Sequence, residues 1–233
     1  MTRRRFPVGK TLLYVFMSLW ALTTIYPFIW VILNSFKPRG LIRSDTFSLP
    51  IGDKFTLENY VTAFKRVDIG TAYVNSIVIS GAVTVVVMVL AGLAAYAMVR
   101  YSFRLRGFLH SMIIASMMFP VFSTLIPVFR MESSWGIVNT GSIWLTRLSV
   151  VLPQIAGNLS FAIIVLMGFI RSLPVDLEEA AYLEGYNVYQ IFFRIIMPLA
   201  KPSFATVGIF TFLWSYNDLF LQMFFLRSKK FFT

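Results

Sequence analysis

Residues 69–99 read IGTAYVNSIVISGAVTVVVMVLAGLAAYAMV, 31 consecutive positions without a charged side chain. About 20 apolar residues of helix cross a hydrocarbon core ~30 Å thick, so this stretch is long enough to span one. Four further runs repeat the pattern. Residues 11–36 carry 26 uncharged positions, 111–129 carry 19 and 148–170 carry 23, while a fifth run, 202–217, resumes past Asp218 as far as Leu226. Five spanning helices are expected, in an all-α polytopic membrane protein. Composition agrees: 13% of residues are charged, about half the share usual in soluble domains. The 69–99 run also holds Ser80, Gly81, Ala91, Gly92, Ala94, Ala95 and Ala97. Small residues let helices approach closely where lipid supplies no hydrophobic drive between them, so the runs should pack as a bundle.

The net charge is +11, from 21 basic and 10 acidic residues. In a soluble chain that balance would suit nucleic acid. Here the basic residues stand at the ends of apolar runs, so the expected partner is the lipid bilayer and no nucleic acid. Arg3, Arg4, Arg5 and Lys10 precede the first run, and Arg100, Arg104 and Arg106 follow the second, with no acid among them. Short loops dense in Lys and Arg stay in the cytoplasm. The N-terminus is therefore expected inside, residues 37–70 form an external loop, and residues 171–201 a cytoplasmic one. The external loop carries Pro38, Gly40, Pro50 and Gly52, then Thr56 as a candidate N-cap of a short helix. The chain has no cysteine and a single histidine, His110. With no Gly-rich phosphate loop, no metal-ligand cluster and no nucleophile–base grouping, an enzyme is not expected, nor a cofactor or metal.

Residues 178–198, EEAAYLEGYNVYQIFFRIIMP, depart from this apolar pattern. Pro174 suits the first turn of a helix. Asp176, Glu178 and Glu179 crowd that turn, where negative charge complements the helix dipole, and Gly185 suits the C-terminal break. A helix from Pro174 to Glu184 is expected, then a second from Val188 to Met197 with Tyr189, Phe192, Phe193 and Ile196 on one apolar face. A helix lying on lipid would carry Lys and Arg on its polar face; this one is acidic with alanines, which an anionic membrane surface repels. Ala180 and Ala181 make it thin, one turn on from Leu177, so it suits insertion into a cleft on a partner protein.

The spacing Glu179-Ala180-Ala181, then Gly185, Ile195 and Pro198, resembles the cytoplasmic loop by which permease subunits of ABC importers dock on their ATPases, with Met197 where the pattern has Leu. Three more blocks resemble the maltose-type carbohydrate permeases, specifically the shorter of the two paired subunits. These are Ala94-Ala95-Tyr96-Ala97 with Arg100, Phe103, Arg106 and Gly107; Pro127, Gly136, Asn139 and Thr140; and Tyr216-Asn217-Asp218-Leu219-Phe220. The resemblance implies a type I importer permease bundle, residues 1–233 forming a single transmembrane permease domain in a bacterial or archaeal plasma membrane. It implies ATPase-docking roles for Leu177, Glu178, Glu179, Ala180, Ala181, Gly185, Ile195 and Pro198. The implied partners are a second homologous permease, two ATPase subunits and an extracytoplasmic solute-binding protein. Such permeases have six spanning helices, so the sixth is missing here and a C-terminally truncated form is expected.

Asn75, Gln154, Asn158, Asn217 and Asp218 are polar groups in or beside apolar runs. They either line a path for a hydroxyl-rich solute or bond helix to helix. The cargo expected from the resemblance is an oligosaccharide or related sugar. A polyamine, a phosphate ester or a peptide stays open as an alternative cargo, and so does a membrane scaffold that binds an ATPase and conducts nothing.

The absence of cysteine makes topology directly measurable. A cysteine at Ser44 is expected to react with an impermeant thiol reagent from outside intact cells, and one at Ser102 only after the cytoplasmic side is opened. Outside labelling at Ser102 would invert the topology.

Overall fold

The computed structural model describes residues 8–226; the basic cluster Arg3, Arg4 and Arg5 used for orientation lies outside them. The described residues fall into two compact units that divide between Ile69 and Gly70.

In the first unit a long helix α1 (Val8–Ser35) leads into α2 (Arg39–Ser44), a 3-10 turn at Gly52–Lys54 and α3 (Glu58–Arg66). Within this unit α1 buries only Asn34 and otherwise presents a mostly apolar surface. The segment that follows is folded rather than open. The Asn59 side chain donates to the carbonyls of Ser35 and Lys37 at 3.0 and 2.7 Å, satisfying groups that the end of α1 leaves without helical partners. Phe36 stacks on Phe55 at 5.5 Å and meets Tyr60 at 5.4 Å. Lys37 is fully buried, and its ammonium donates to the carbonyls of Asp45 and Thr46 at 3.1 and 2.8 Å. The Thr56 hydroxyl accepts from the Glu58 amide at 3.1 Å, but the capping position of α3 is Leu57 rather than the expected Thr56.

The second unit holds α4 (Ile69–Arg100), α5 (Arg106–Ser116), α6 (Val121–Ser134), α7 (Ile143–Ser172), α8 (Asp176–Leu183), α9 (Val188–Ile191), a π-helical turn (Phe192–Ile196), α10 (Met197–Leu199), α11 (Lys201–Tyr216) and α12 (Leu219–Phe225). All five apolar runs are helical. Among the described residues α1, α4 and α7 are each long and apolar enough to cross a membrane, and residues 188–199 with 201–216, bent by 82°, make up to a fourth span. The third run, 111–129, comes as α5 and α6, broken at residues 117–120 where Pro120 precedes α6. The fifth comes as α11 and α12, broken where the Asp218 carboxylate caps α12 by accepting from the Leu221 amide. A groove of about 510 Å³ opens at the first break, lined among others by Met117, Phe119, Leu125, Pro153 and Gly157. Pro127 and Pro153 lie inside helices that continue past them.

Packing follows an every-fourth-residue rule. On α4 the buried row is Ile79, Val83, Val87, Ala91 and Ala95; on α7 it is Thr146, Val150, Gln154, Asn158, Ala162, Leu166 and Ile170. Residues four apart form one ridge on a helix surface. The α4 ridge shrinks from Ile and Val to Ala as it nears Arg100. At Gly92 a Cβ would lie 2.8 Å from the Phe204 ring and 2.9 Å from the Phe192 ring, so any side chain there must displace these rings. At Gly208 a Cβ would come close only to the flexible Met88 sulfur, at 3.1 Å, with Thr84 at an ordinary 3.8 Å.

Gly92→Val is therefore expected to destabilise the folded chain by about 1–3 kcal/mol, the usual effect of overpacking. Gly208→Ala should shift stability far less, since Met88 can move aside. Thermal unfolding in detergent compares the two, and equal effects would refute the close approach at Gly92.

Candidate functional site

The segment between α7 and α11 carries most of the residues singled out by sequence. Pro174 stands just ahead of α8, and Asp176, Glu178 and Glu179 fill its first turn. The helix ends where Gly185 adopts φ +84°. There the Tyr186 amide donates to Ala181 O and the Gly185 amide to Tyr182 O, both at 3.0 Å. This is a Schellman close, which needs a residue tolerant of the left-handed region. Asn187 and Gln190 then cap α9 reciprocally, each side chain accepting from the other's amide at 2.9 Å, a capping box with Gln at its third position.

The two faces of α8 differ sharply. Glu178 and Ala181, three residues apart, are buried against the bundle, while Leu177, Glu179, Ala180, Tyr182, Leu183 and Glu184 face outward. Ala180 and Ala181, expected together on the contact side, are thus separated, Ala180 exposed and Ala181 buried. Leu183 is 91% exposed, an apolar side chain projecting from a polar helix. Beyond Gly185 the buried residues are Ile191, Phe192 and Ile196, with Ile195 half-buried and Pro198 exposed. Tyr189 and Phe193, expected on the same apolar face, are exposed. Phe193 lies in the π-turn over 192–196, whose i→i+5 bonding departs from ordinary helical spacing, while Tyr189 precedes it in α9.

Glu178 is the best-held side chain of the segment. Its Oε1 accepts from Arg100 Nε at 2.5 Å and its Oε2 from the Tyr96 hydroxyl at 2.8 Å. The same guanidinium donates through Nη2 to Leu173 O at 2.9 Å. The side chains of Arg100 and Glu178 are only 10% and 5% exposed. At the rim the hydroxyls of Tyr101 and Tyr182 lie 2.8 Å apart. Sequence reasoning passed over Tyr96, Arg100 and Leu183 as members of this site. The spacing of Leu183 after Glu179 and Ala180 could have placed it on their face; nothing local marks Arg100 as the partner of Glu178.

The five polar candidates in the apolar runs do not converge on one cavity. Gln154 accepts from Ser215 Oγ at 2.5 Å and donates to Asp218 at 3.3 Å, while Gln222 donates to Ser215 O at 3.2 Å. Together these stitch α7 to the α11–α12 junction. Asn75 accepts from Arg147 at 2.6 Å. Asn158 and Asn217 donate to backbone carbonyls four residues back, both at 2.8 Å. Asn75, Gln154 and Asn158 are buried, Asp218 is half-buried and Asn217 is exposed. None of the five lines the groove at 117–120. Among the described residues no three His, Asp or Glu side chains gather as metal ligands.

Residues 87–232 match the family described as binding-protein-dependent transport system inner membrane component. The diacetylchitobiose uptake system permease protein NgcG of Streptomyces coelicolor is 34% identical over 90% of this chain and 67% of its own length. The trehalose transport system permease protein SugB of Mycobacterium tuberculosis is 33% identical over 85% of this chain and 69% of its own. The melibiose/raffinose/stachyose import permease protein MelC of Bacillus subtilis is 30% identical over 88% and 71%. A bacterial ABC transporter involved in import of the acidic polysaccharide alginate shares the fold, with a TM-score of 0.82 at 23% identity over 99% of this chain and 79% of that one. The chain belongs to the binding-protein-dependent transport permease family; it is a multi-pass membrane permease subunit with an ABC importer fold, and that family is a family of transporters, not enzymes.

Removing one partner of a buried ion pair leaves a charge uncompensated, which costs about 3–5 kcal/mol. Glu178→Ala is expected to lose stability on that scale, whereas Glu179→Ala, exposed one residue later, should stay within about 0.5 kcal/mol of the parent. Melting curves of the purified variants decide it; equal losses would contradict the inward placement of Glu178.

Proposed function

We propose that this permease imports an oligosaccharide or related sugar, driven by ATP hydrolysis on separate polypeptides that dock on α8. The observation that carries the docking is the outward face of α8, where Glu179, Ala180 and Leu183 project from a helix whose opposite face is fixed to the bundle. A short helix that is clamped from behind and bears one protruding apolar residue suits insertion into a cleft. Leu177 and Glu178 complete that element, one exposed and one inward. Ala181 sits on the buried face of α8, Gly185 lets the chain turn back, and Ile195 and Pro198 lie along the return to the spanning helices. The sugar cargo rests on the relatives, whose names carry di- and oligosaccharides.

In this reading residues 1–233 act as one permease domain with a cytoplasmic N-terminus, segment 37–70 outside and segment 171–201 inside. The chain pairs with a second, homologous permease, two ATPase subunits bind the pair from the cytoplasm, and an extracytoplasmic binding protein delivers the solute. For the solute path the proposal keeps Asn217 and Asp218, which reach the surface of this chain. It assigns Asn75 and Gln154 to helix–helix bonding, since each bonds a side chain on another helix, and leaves Asn158, which bonds within α7, off the path.

Leu183→Asp tests the reading without touching the fold, because the side chain is solvent-facing. The variant is expected to insert and melt like the parent, lose co-purifying ATPase, and take up labelled di- and trisaccharides at about one-hundredth of the parent rate, as loss of a buried interface anchor implies. Retained ATPase and unchanged uptake would reject α8 as the docking element. Uptake by the parent of polyamines or peptides in place of saccharides would reject the cargo.

A further inference from the structure

We infer that Arg100, assisted by Tyr96, is a positioning residue that fixes the rotation of α8 and carries its displacement into α4 and α7. This rests on the reading of α8 as the docking element.

The guanidinium sits at the last residue of α4 and bonds two other elements at once. Its Nε reaches Glu178 in the first turn of α8, and its Nη2 reaches Leu173 O, where α7 ends. Both carboxylate oxygens of Glu178 are occupied, one by Arg100 and one by the Tyr96 hydroxyl. Three helix ends therefore meet on one nearly dry charge pair.

A buried ion pair is a poor device for stability, since apolar side chains of similar volume commonly do as well. What it supplies is direction, because a guanidinium offers its donors in a rigid planar fork. Direction is what α8 lacks otherwise. It has eight residues, and Ala181 is its only other buried side chain, so apolar contact alone sets its rotation weakly. With Glu178 clasped, α8 cannot roll, and a push on Ala180 and Leu183 must displace the ends of α4 and α7. The aromatic contacts behind the pair extend the linkage. Tyr96 packs on Phe192 at 5.6 Å, and Phe192 on Phe204 of α11 at 6.5 Å.

The test is made on the permease assembled with its partner subunits in proteoliposomes, measuring solute moved per ATP hydrolysed. In Arg100→Met/Glu178→Leu both charges go, so no buried charge is stranded. The double variant is expected to assemble and hydrolyse ATP while solute per ATP falls about ten-fold, within the range by which residues between coupled sites alter coupling. Arg100→Lys, which keeps the charge and loses the fork, should fall part of the way. Tyr96→Phe, which removes one hydrogen bond and no charge, should also lower the ratio. An unchanged ratio in the double variant overturns the proposal and leaves the pair a packing element. Should the double variant fail to assemble, unchanged ratios in both Arg100→Lys and Tyr96→Phe overturn it equally. A cysteine at position 183 of the otherwise unaltered chain separates the premise. It should cross-link to the ATPase, and absence of the cross-link rejects docking at α8 whatever the coupling ratios show.

Discussion

Hydrocarbon gives a helix no reason to leave lipid for the apolar side of another helix, so a membrane bundle is held by close fit and by polar bonds. Among the glycines of this chain the fit is tightest at Gly92, where the rings of Phe192 and Phe204 occupy the place of a side chain. The consequence reaches beyond α4. Phe192 opens the π-turn of the 171–201 segment and Phe204 lies in the first turns of α11, so the approach at Gly92 seats the whole return from α8 to the spanning helices. The row of buried residues beside it tapers from Ile79 and Val83 to Ala91 and Ala95.

Polar bonds supply the rest, and they divide by location. Inside the apolar runs, Gln154 with Ser215, Asp218 and Gln222 holds α7 to the broken fifth run, where lost helical bonds need partners. At the helix ends Arg100, Tyr96 and Glu178 hold α8. The first group spends its polarity on bonds between helices. The second explains how an eight-residue helix exposed on one side keeps a defined orientation. Function on this account lies in the contrast between the two faces of α8, one clamped and one offered.

Much of this was legible in the sequence because the governing terms are local. Uncharged length marks all five apolar runs. Pro174, the early acids and Gly185 mark α8 to within two residues at each end, since helix punctuation acts over a single turn. The inward turn of Glu178 was not legible, because its partner Arg100 lies 78 residues away and both look like ordinary surface charges. The exposure of Phe193 was hidden for another reason. A π-turn changes the period on which any face is read, and FFRII carries no composition that announces one. The break at 117–120 was half visible: Pro120 stood in the run, but an intramembrane proline is as compatible with a kink, and Pro127 and Pro153 indeed lie within continuous helices.

The central claim is that the outward face of α8 meets the ATPase while Glu178 keeps its other face on the bundle. The most direct measurement is the alkylation rate of a cysteine placed at Leu183 in this cysteine-free chain, taken before and after the ATPase subunits are added. The account predicts fast reaction in the permease alone, as befits a side chain in open solvent, and strong protection once the ATPase binds. A rate that ATPase binding leaves unchanged, in a preparation where the ATPase demonstrably co-sediments, would contradict it.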